Sequence, residues 1–293
     1  MSAETLTGRS RRAVTAAGVR PRPPRTVRTG ALYLCLVLLA IVMATPFVAM
    51  ALLSLRPATA ISLREIFFST TFTIEHFRTM FENASLVRWI LNSFIYAGVS
   101  VVLVLLLSSL AGYAFAKKHF FGKNAIFWTF IAMLVVPSQL TIVPLFILVV
   151  KMEGVNTYWG LILPTLASAQ GVFLMRQYIL GLPDELLEAA KIDGASEFRI
   201  YWQIVLPLCT PVLATLGIFV FLWHWNDFLW PLIVTQSDEM RLLTVGLATL
   251  QDMVPSTHSM MAAAAISFFP SIVIFVVFQR FIVQSIATSG IKG

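Results

Sequence analysis

Residues 188–207 read EAAKIDGASEFRIYWQIVLP. The stretch is polar and charged and sits between two long apolar runs, so it belongs in water between membrane spans. Its punctuation predicts two short helices. Pro183 suits a first helical position, and Asp184 and Glu185 follow in the first turn, where acids complement the helix dipole. This helix runs to about Asp193, and Gly194 supplies a C-terminal break. Ser196 caps the second helix, with Glu197 in its first turn. Phe198, Tyr201, Trp202 and Val205 recur at helical spacing and should form one aromatic, apolar face. Pro207 marks the entry to the next apolar run. Such a pair of helices at the membrane surface offers a body that a partner in water can push.

The flanking composition agrees. The chain has 293 residues, 58% of them hydrophobic and only 12% charged. Soluble domains carry about 25% charged residues, so the composition is that of an integral membrane protein with one membrane domain. The net charge of +7 has a local origin, because seven arginines precede the first apolar run. A basic tail can signal nucleic acid, but this one adjoins a span and has no interleaved aromatics, so it reads as a topology signal. Cys35 and Cys209 lie in or beside apolar runs and form neither a disulfide framework nor a metal spacing.

Outward from the central segment, the apolar runs predict an all-α, polytopic membrane protein with six transmembrane helices. Residues 1–30 form an Arg- and Pro-rich tail expected to be disordered, and residues 31–293 the membrane domain. The spans fall at about 31–53, 89–116, 126–149, 158–178, 208–234 and 261–281, with the polar loop at about 181–207. Pro137, Pro144 and Pro270 should kink their spans. Between the first two spans, Thr73 can cap a short helix with Phe77, Met80 and Phe81 on one face. With the N-terminus inside, 15 Lys and Arg residues fall on the inner side and 6 on the outer. That bias puts both termini, and the segment at 188–207, in the cytoplasm.

Catalytic patterns are missing from the sequence. No Gly-x4-Gly-Lys-Ser/Thr phosphate loop and no Gly-x-Ser-x-Gly elbow occur, and His76, His119, His224 and His258 are scattered. The expectation is a non-catalytic membrane subunit that binds neither metal nor cofactor. Polar residues inside spans are costly in lipid and should face the interior or a partner, which makes Asn92, Gln139 and Gln170 candidates for a permeation path. The densest cluster is WHWNDFLW, residues 223–230, where Trp223, Trp225, Asn226 and Asp227 can form a sugar-facing wall of indole faces and hydroxyl partners. The same residues can equally form an aromatic belt at the outer interface with a structural Asp.

Glu188, Ala189 and Ala190, then Gly194, then Ile204-x-Leu206-Pro207 resemble the EAA motif of bacterial ABC-importer permeases, at that motif's own spacing. Residues 72–97, FTIEHFRTMFENASLVRWILNSFIYA, resemble the lead-in to the second span of the carbohydrate-uptake class, and the match is closest to its maltose-type second permease. The resemblance covers about residues 31–293 and implies the type I importer fold in the bacterial cytoplasmic (inner) membrane. It implies that Glu188, Ala189, Ala190, Asp193, Gly194, Leu206 and Pro207 belong to the element that docks on a separate ATPase, and that the C-terminal Gly-Ile-Lys-Gly approaches that ATPase. It further implies a homologous second permease, two ATPase subunits that use ATP and Mg, an extracytoplasmic solute-binding protein, and a sugar or polyol substrate. An ion-gradient-driven secondary transporter is the alternative; it would require buried ionisable residues, of which Asp227 is the one candidate.

Overall fold

The computed structural model describes residues 25–57, 59, 63–68, 70–82, 84–250 and 256–290. The tail up to residue 24 and the last three residues of Gly-Ile-Lys-Gly lie outside them. The described residues are helical, with no strand among them; the short helices include α2, Leu63–Phe68, and α14, Leu243–Leu250. The chain divides into two units, Met1–Val48 and Ala49–Gly293.

Helix α1, Arg25–Ser54, begins six residues before the expected start of the first span. Its apolar side chains from Leu32 to Val48 are exposed, as suits a helix whose solvent is hydrocarbon. Pro46 lies inside it, and one residue earlier the Thr45 hydroxyl donates to the Ile41 carbonyl (2.8 Å).

In the second unit α4, Ala84–Lys117, is the axis. Its 34 residues span about 50 Å, more than a bilayer core needs. It packs along α8, Ala169–Leu180, and α12, Thr210–Trp225. Small residues allow the close crossing: a Cβ on Gly112 would strike Met175, and one on Gly171 would strike Ser108. Helix α15, Thr257–Gly290, lies against α12 and against α3, Glu75–Glu82. Thr73 does cap the start of α3, accepting from the Glu75 N–H (3.1 Å). The buried face of α3, however, is His76 and Met80, while Phe81 is exposed. His76 turns inward because both ring nitrogens find partners there, Ser259 Oγ at 3.1 Å and the Arg56 carbonyl at 3.0 Å. Its ring stacks on that of His258 at 5.7 Å, so two of the scattered histidines meet.

Three apolar runs expected as continuous or gently kinked spans are broken. Helices α5, Lys123–Met133, and α6, Ser138–Lys151, meet at 104°. Pro137 stands at the break with no N–H to offer, whereas Pro144 is accommodated inside α6. Residues Tyr158–Thr165, which begin with α7, Tyr158–Ile162, meet α8 at 48°. Ser168 caps α8 there by accepting from the Gly171 N–H (3.0 Å). Between Trp225 and Leu229 the expected fifth span stops and resumes as α13, Leu229–Val234. Among the described residues, three helices are long and apolar enough to cross a membrane, and up to six spans result if each bent pair, Glu197–Leu208 with Thr210–Trp225 included, counts as one.

Candidate functional site

The polar segment folds as two short helices joined at a glycine. Helix α9 is Asp184–Ile192, with Pro183 one place earlier than expected, at the cap rather than the first turn. Gly194 has φ +77°, a left-handed value that glycine alone adopts without strain. The turn closes with Ala195 N–H donating to the Ala190 carbonyl (2.9 Å) and Gly194 N–H to the Lys191 carbonyl (3.0 Å). Ser196 caps α10, Glu197–Ile200, accepting from the Arg199 N–H (3.3 Å). A π-helical turn, Tyr201–Val205, follows, and then α11, Leu206–Leu208. The chain bends by 76° into α12.

The expected single aromatic face splits in two. Tyr201 and Val205 are buried, whereas Phe198 and Trp202 are exposed and pack edge to face at 6.0 Å. The wider π turn separates the two i, i+4 rows more than a regular α-helix would, although the Tyr201 and Trp202 rings still lie 5.5 Å apart. The motif splits likewise. Glu188, Ala189, Asp193, Gly194 and Pro207 are exposed and Leu206 is half-buried. Ala190, at 8% exposure, faces inward with Leu187. Its small side chain serves packing beneath the helix, so the two alanines have different surroundings.

The inner face of the segment shares one core with the spans. Leu187, Ala190, Ile200, Tyr201 and Val205 pack with Met175 and Ile179 of α8, Tyr113 of α4, and Val212 of α12. Polar links add direction. The Lys117 ammonium donates to Asp184 (2.6 Å) and to the Leu182 carbonyl (2.7 Å). Lys118 pairs with Glu197, which also accepts from the Tyr113 hydroxyl (3.2 Å) and lies 3.5 Å from Lys191. The hydrogen bond from Lys118 holds the Glu197 carboxyl below the ordinary glutamate range, against a small opposing cost of burial. The Ser109 and Tyr201 hydroxyls bond at 2.7 Å. The end of α4 is therefore clamped to both helices of the segment.

The second candidate region lies inside the bundle. Asn92 is fully buried and fully bonded: its amide donates to the carbonyls of Glu239 (2.7 Å) and Arg241 (2.9 Å) and accepts from the Tyr158 hydroxyl (2.6 Å). It anchors a loop and has no free polar atom for a substrate. Trp225, at 2% exposure, donates to the Ser267 carbonyl (2.9 Å). Asp227 accepts from the Tyr96 hydroxyl (2.9 Å), and its own carbonyl accepts from Thr244 (2.7 Å). His224 donates through Nδ1 to the Val220 carbonyl (2.8 Å) and places Nε2 3.1 Å from Thr165 Oγ1. The rings of Tyr96 and His224 meet edge-on at 5.0 Å. Trp223, Asn226, Gln139 and Gln170 instead expose their side chains. Gln139 opens α6 beside the 104° break, and Gln170 opens α8 beside the 48° break. Polar groups next to interrupted helices suit a water-filled cavity, where freed backbone groups find partners.

A protein-family model described as "Binding-protein-dependent transport system inner membrane component" matches residues 104–288. The chain belongs to this family. It is a multi-pass permease of the inner membrane. The permease is 39% identical over 253 residues to the arabinooligosaccharides transport system permease protein AraQ of Halalkalibacterium halodurans, covering 85% of this chain and 91% of that protein. It is 35% identical over 203 residues to the sn-glycerol-3-phosphate transport system permease protein UgpE of Yersinia pestis bv. Antiqua, covering 68% and 72%. A bacterial ABC transporter involved in the import of the acidic polysaccharide alginate shares the fold at a TM-score of 0.79 and 20% identity, over 89% of this chain and 99% of that one.

Several residues of the permease escape a sequence reading. Ile192, 87% exposed, and Leu186 extend the outer face of the segment beyond the EAA positions. An isoleucine at a helix end, with polar neighbours, carries no periodic signal. Tyr96, Tyr158, Thr165 and Thr244 supply the partners of Asp227, Asn92 and His224 from distant elements. Only a polar residue recurring opposite another across helices would reveal them, and a single sequence does not show that.

Proposed function

We propose that the permease is one of two homologous membrane subunits of an ATP-driven importer for a sugar or polyol. The observation that carries this reading is the two-sided build of residues 184–208. Its outer side presents Glu188, Ile192, Phe198 and Trp202, while its inner side is continuous with the core of α4, α8 and α12. A force on the outer side is therefore delivered to three spans at once. The ATPase that applies it is a separate protein, because this sequence holds no phosphate loop. Two ATPase copies closing on ATP and Mg drive the segment as a rigid body and open the path to a loaded solute-binding protein; hydrolysis resets it.

The excess of Lys and Arg on one side supports a cytoplasmic segment and cytoplasmic termini. The similarity to AraQ supports an oligosaccharide substrate. Trp223, Asn226, Gln139 and Gln170 are the residues whose exposed side chains suit a path; Asn92 and Trp225 are structural. Asp227, held by Tyr96, suits a gate or brace better than an ion-coupling site.

The test is ATP-dependent uptake in vesicles holding the whole complex, with ATPase co-purification measured beside it. Glu188→Lys and Gly194→Trp should abolish uptake and weaken co-purification. Normal transport by both variants would sink the reading and favour an ion-gradient carrier.

A further inference from the structure

A basic cleft of about 490 Å³ opens beside the turn between α4 and α5. That volume lies within the roughly 300–1,000 Å³ of small-ligand sites. His119, Lys123 and Arg176 line it, and no carboxylate does. The nearby acids are already engaged, Asp184 by Lys117 and Glu197 by Lys118 and Lys191.

Each cation is positioned by contacts that leave charge unanswered. The Arg176 guanidinium lies 4.1 Å over the Phe127 ring and donates through Nε to the Phe115 carbonyl (3.3 Å). Its terminal nitrogens have no carboxylate partner among the described residues. Lys123 donates to the Lys118 carbonyl (2.8 Å), and its charge and that of Arg176 repel one another. The first turn of α5 lines the same cleft through Lys123, Asn124 and Ala125; no side chain caps it and no acid sits in it. Two like charges and an uncapped helix start converge on one space, an arrangement that an anion relieves. Around the mouth the surface turns apolar. Phe121 is fully exposed, and Phe120, Ile126 and Trp128 are exposed beside it. Aromatic side chains at the water end of spanning helices suit the boundary between headgroups and acyl chains.

The geometry points to a binding site for the phosphate of an anionic phospholipid in the cytoplasmic leaflet, with its acyl chains along Phe121 and Trp128. The site rests on the inward orientation proposed above. Its service is to pin the turn between α4 and α5 to the membrane surface, so that the end of α4 pivots when Lys117 and Lys118 are pulled by the coupling segment.

The experiment counts lipids retained by the purified complex, by native mass spectrometry, after exchange into dioleoyl phosphatidylglycerol or dioleoyl phosphatidylcholine. Wild type should retain phosphatidylglycerol selectively, and Lys123→Gln with Arg176→Gln should weaken that retention about thirtyfold, two surface charges' worth. Since Arg176 also packs on Phe127, wild type supplies a check free of folding defects. Its phosphatidylglycerol retention should fall between about 0.1 M and about 1 M salt while phosphatidylcholine retention stays level. Equal retention of the two lipids, or no change in the double variant, overturns the site. Displacement by about 10 mM inorganic phosphate would mark a free-phosphate site and overturn the lipid assignment. The importer reading is scored separately by ATPase co-purification, and a chain that keeps the lipid but never captures the ATPase loses only that reading.

Discussion

The segment at 184–208, proposed above as the coupling element, and the aromatic stretch at 223–230 are both conspicuous in the sequence, and they anchor their buried residues in different ways. In the segment, exposed Ala189 and Trp202 sit beside buried Ala190 and Tyr201, and the buried members all join one apolar core. In WHWNDFLW exposure splits too, Trp223 at 67% against Trp225 at 2%, but the buried members go to separate cores, Trp225 with Trp89 and Leu243, Trp230 with Leu161 and Val234. On the function proposed above, the first is a docking surface, which a contiguous motif can reveal because a partner touches one patch. A path through a bundle is assembled from several helices, so a run along one of them mixes lining with bracing.

Substitutions test this contrast. The largest effect is expected at Trp225→Ala, which removes a buried indole and its bond to Ser267. It should cost about 3–5 kcal/mol of stability, seen as lost monodispersity and a lower unfolding temperature. Trp223→Ala in the same stretch should change stability by no more than about 0.5 kcal/mol while altering uptake. Comparable destabilisation by the two would erase the distinction between lining and brace. Next comes Tyr96→Phe, which takes the hydroxyl from Asp227; leaving that carboxylate short of a partner should cost about 1–3 kcal/mol in thermal unfolding. For the coupling segment, Ile192→Asp should leave the unfolding temperature unchanged yet weaken ATPase capture about thirtyfold, the behaviour of an exposed apolar anchor in a docking site.

The smallest effect belongs to Glu197. Its folded pKa lies below the ordinary glutamate value, so the stability it contributes is complete above that ordinary value. It fades as pH falls toward the depressed value. Glu197→Gln should flatten the stability profile over that acidic interval by under about 1 kcal/mol, because the pair is exposed and screened. An undiminished pH slope in the variant would mean that Lys118 does not hold the segment through this carboxylate.

Helix content, the Gly194 turn and the Ser196 cap were legible from local rules, since each depends on one residue's own backbone preference or side chain. The 104° break at Pro137 was only half legible: a proline announces lost backbone bonding, but the depth of the bend depends on what packs beside it. Pro144 and Pro137 look alike in sequence, yet one sits inside α6 and the other ends a helix. The roles of Asn92 and Asp227 were not legible because both are decided by tyrosines more than 60 and 130 residues away in the chain. The split of Ala189 from Ala190 followed from which side of α9 meets the core, a tertiary fact.

The 76° corner at Cys209 has a mechanical consequence. The Cys209 N–H is bonded to both Val205 and Leu206 carbonyls, and the residue is fully buried, so the corner is stiff. Residues Glu197–Leu208 form one arm of about 18 Å and the 16 residues of α12 another of about 24 Å. On the coupling role proposed above, the pair would act as a crank: a push at Phe198 would become a swing at Trp225, enlarged about 1.3-fold by the ratio of the arms.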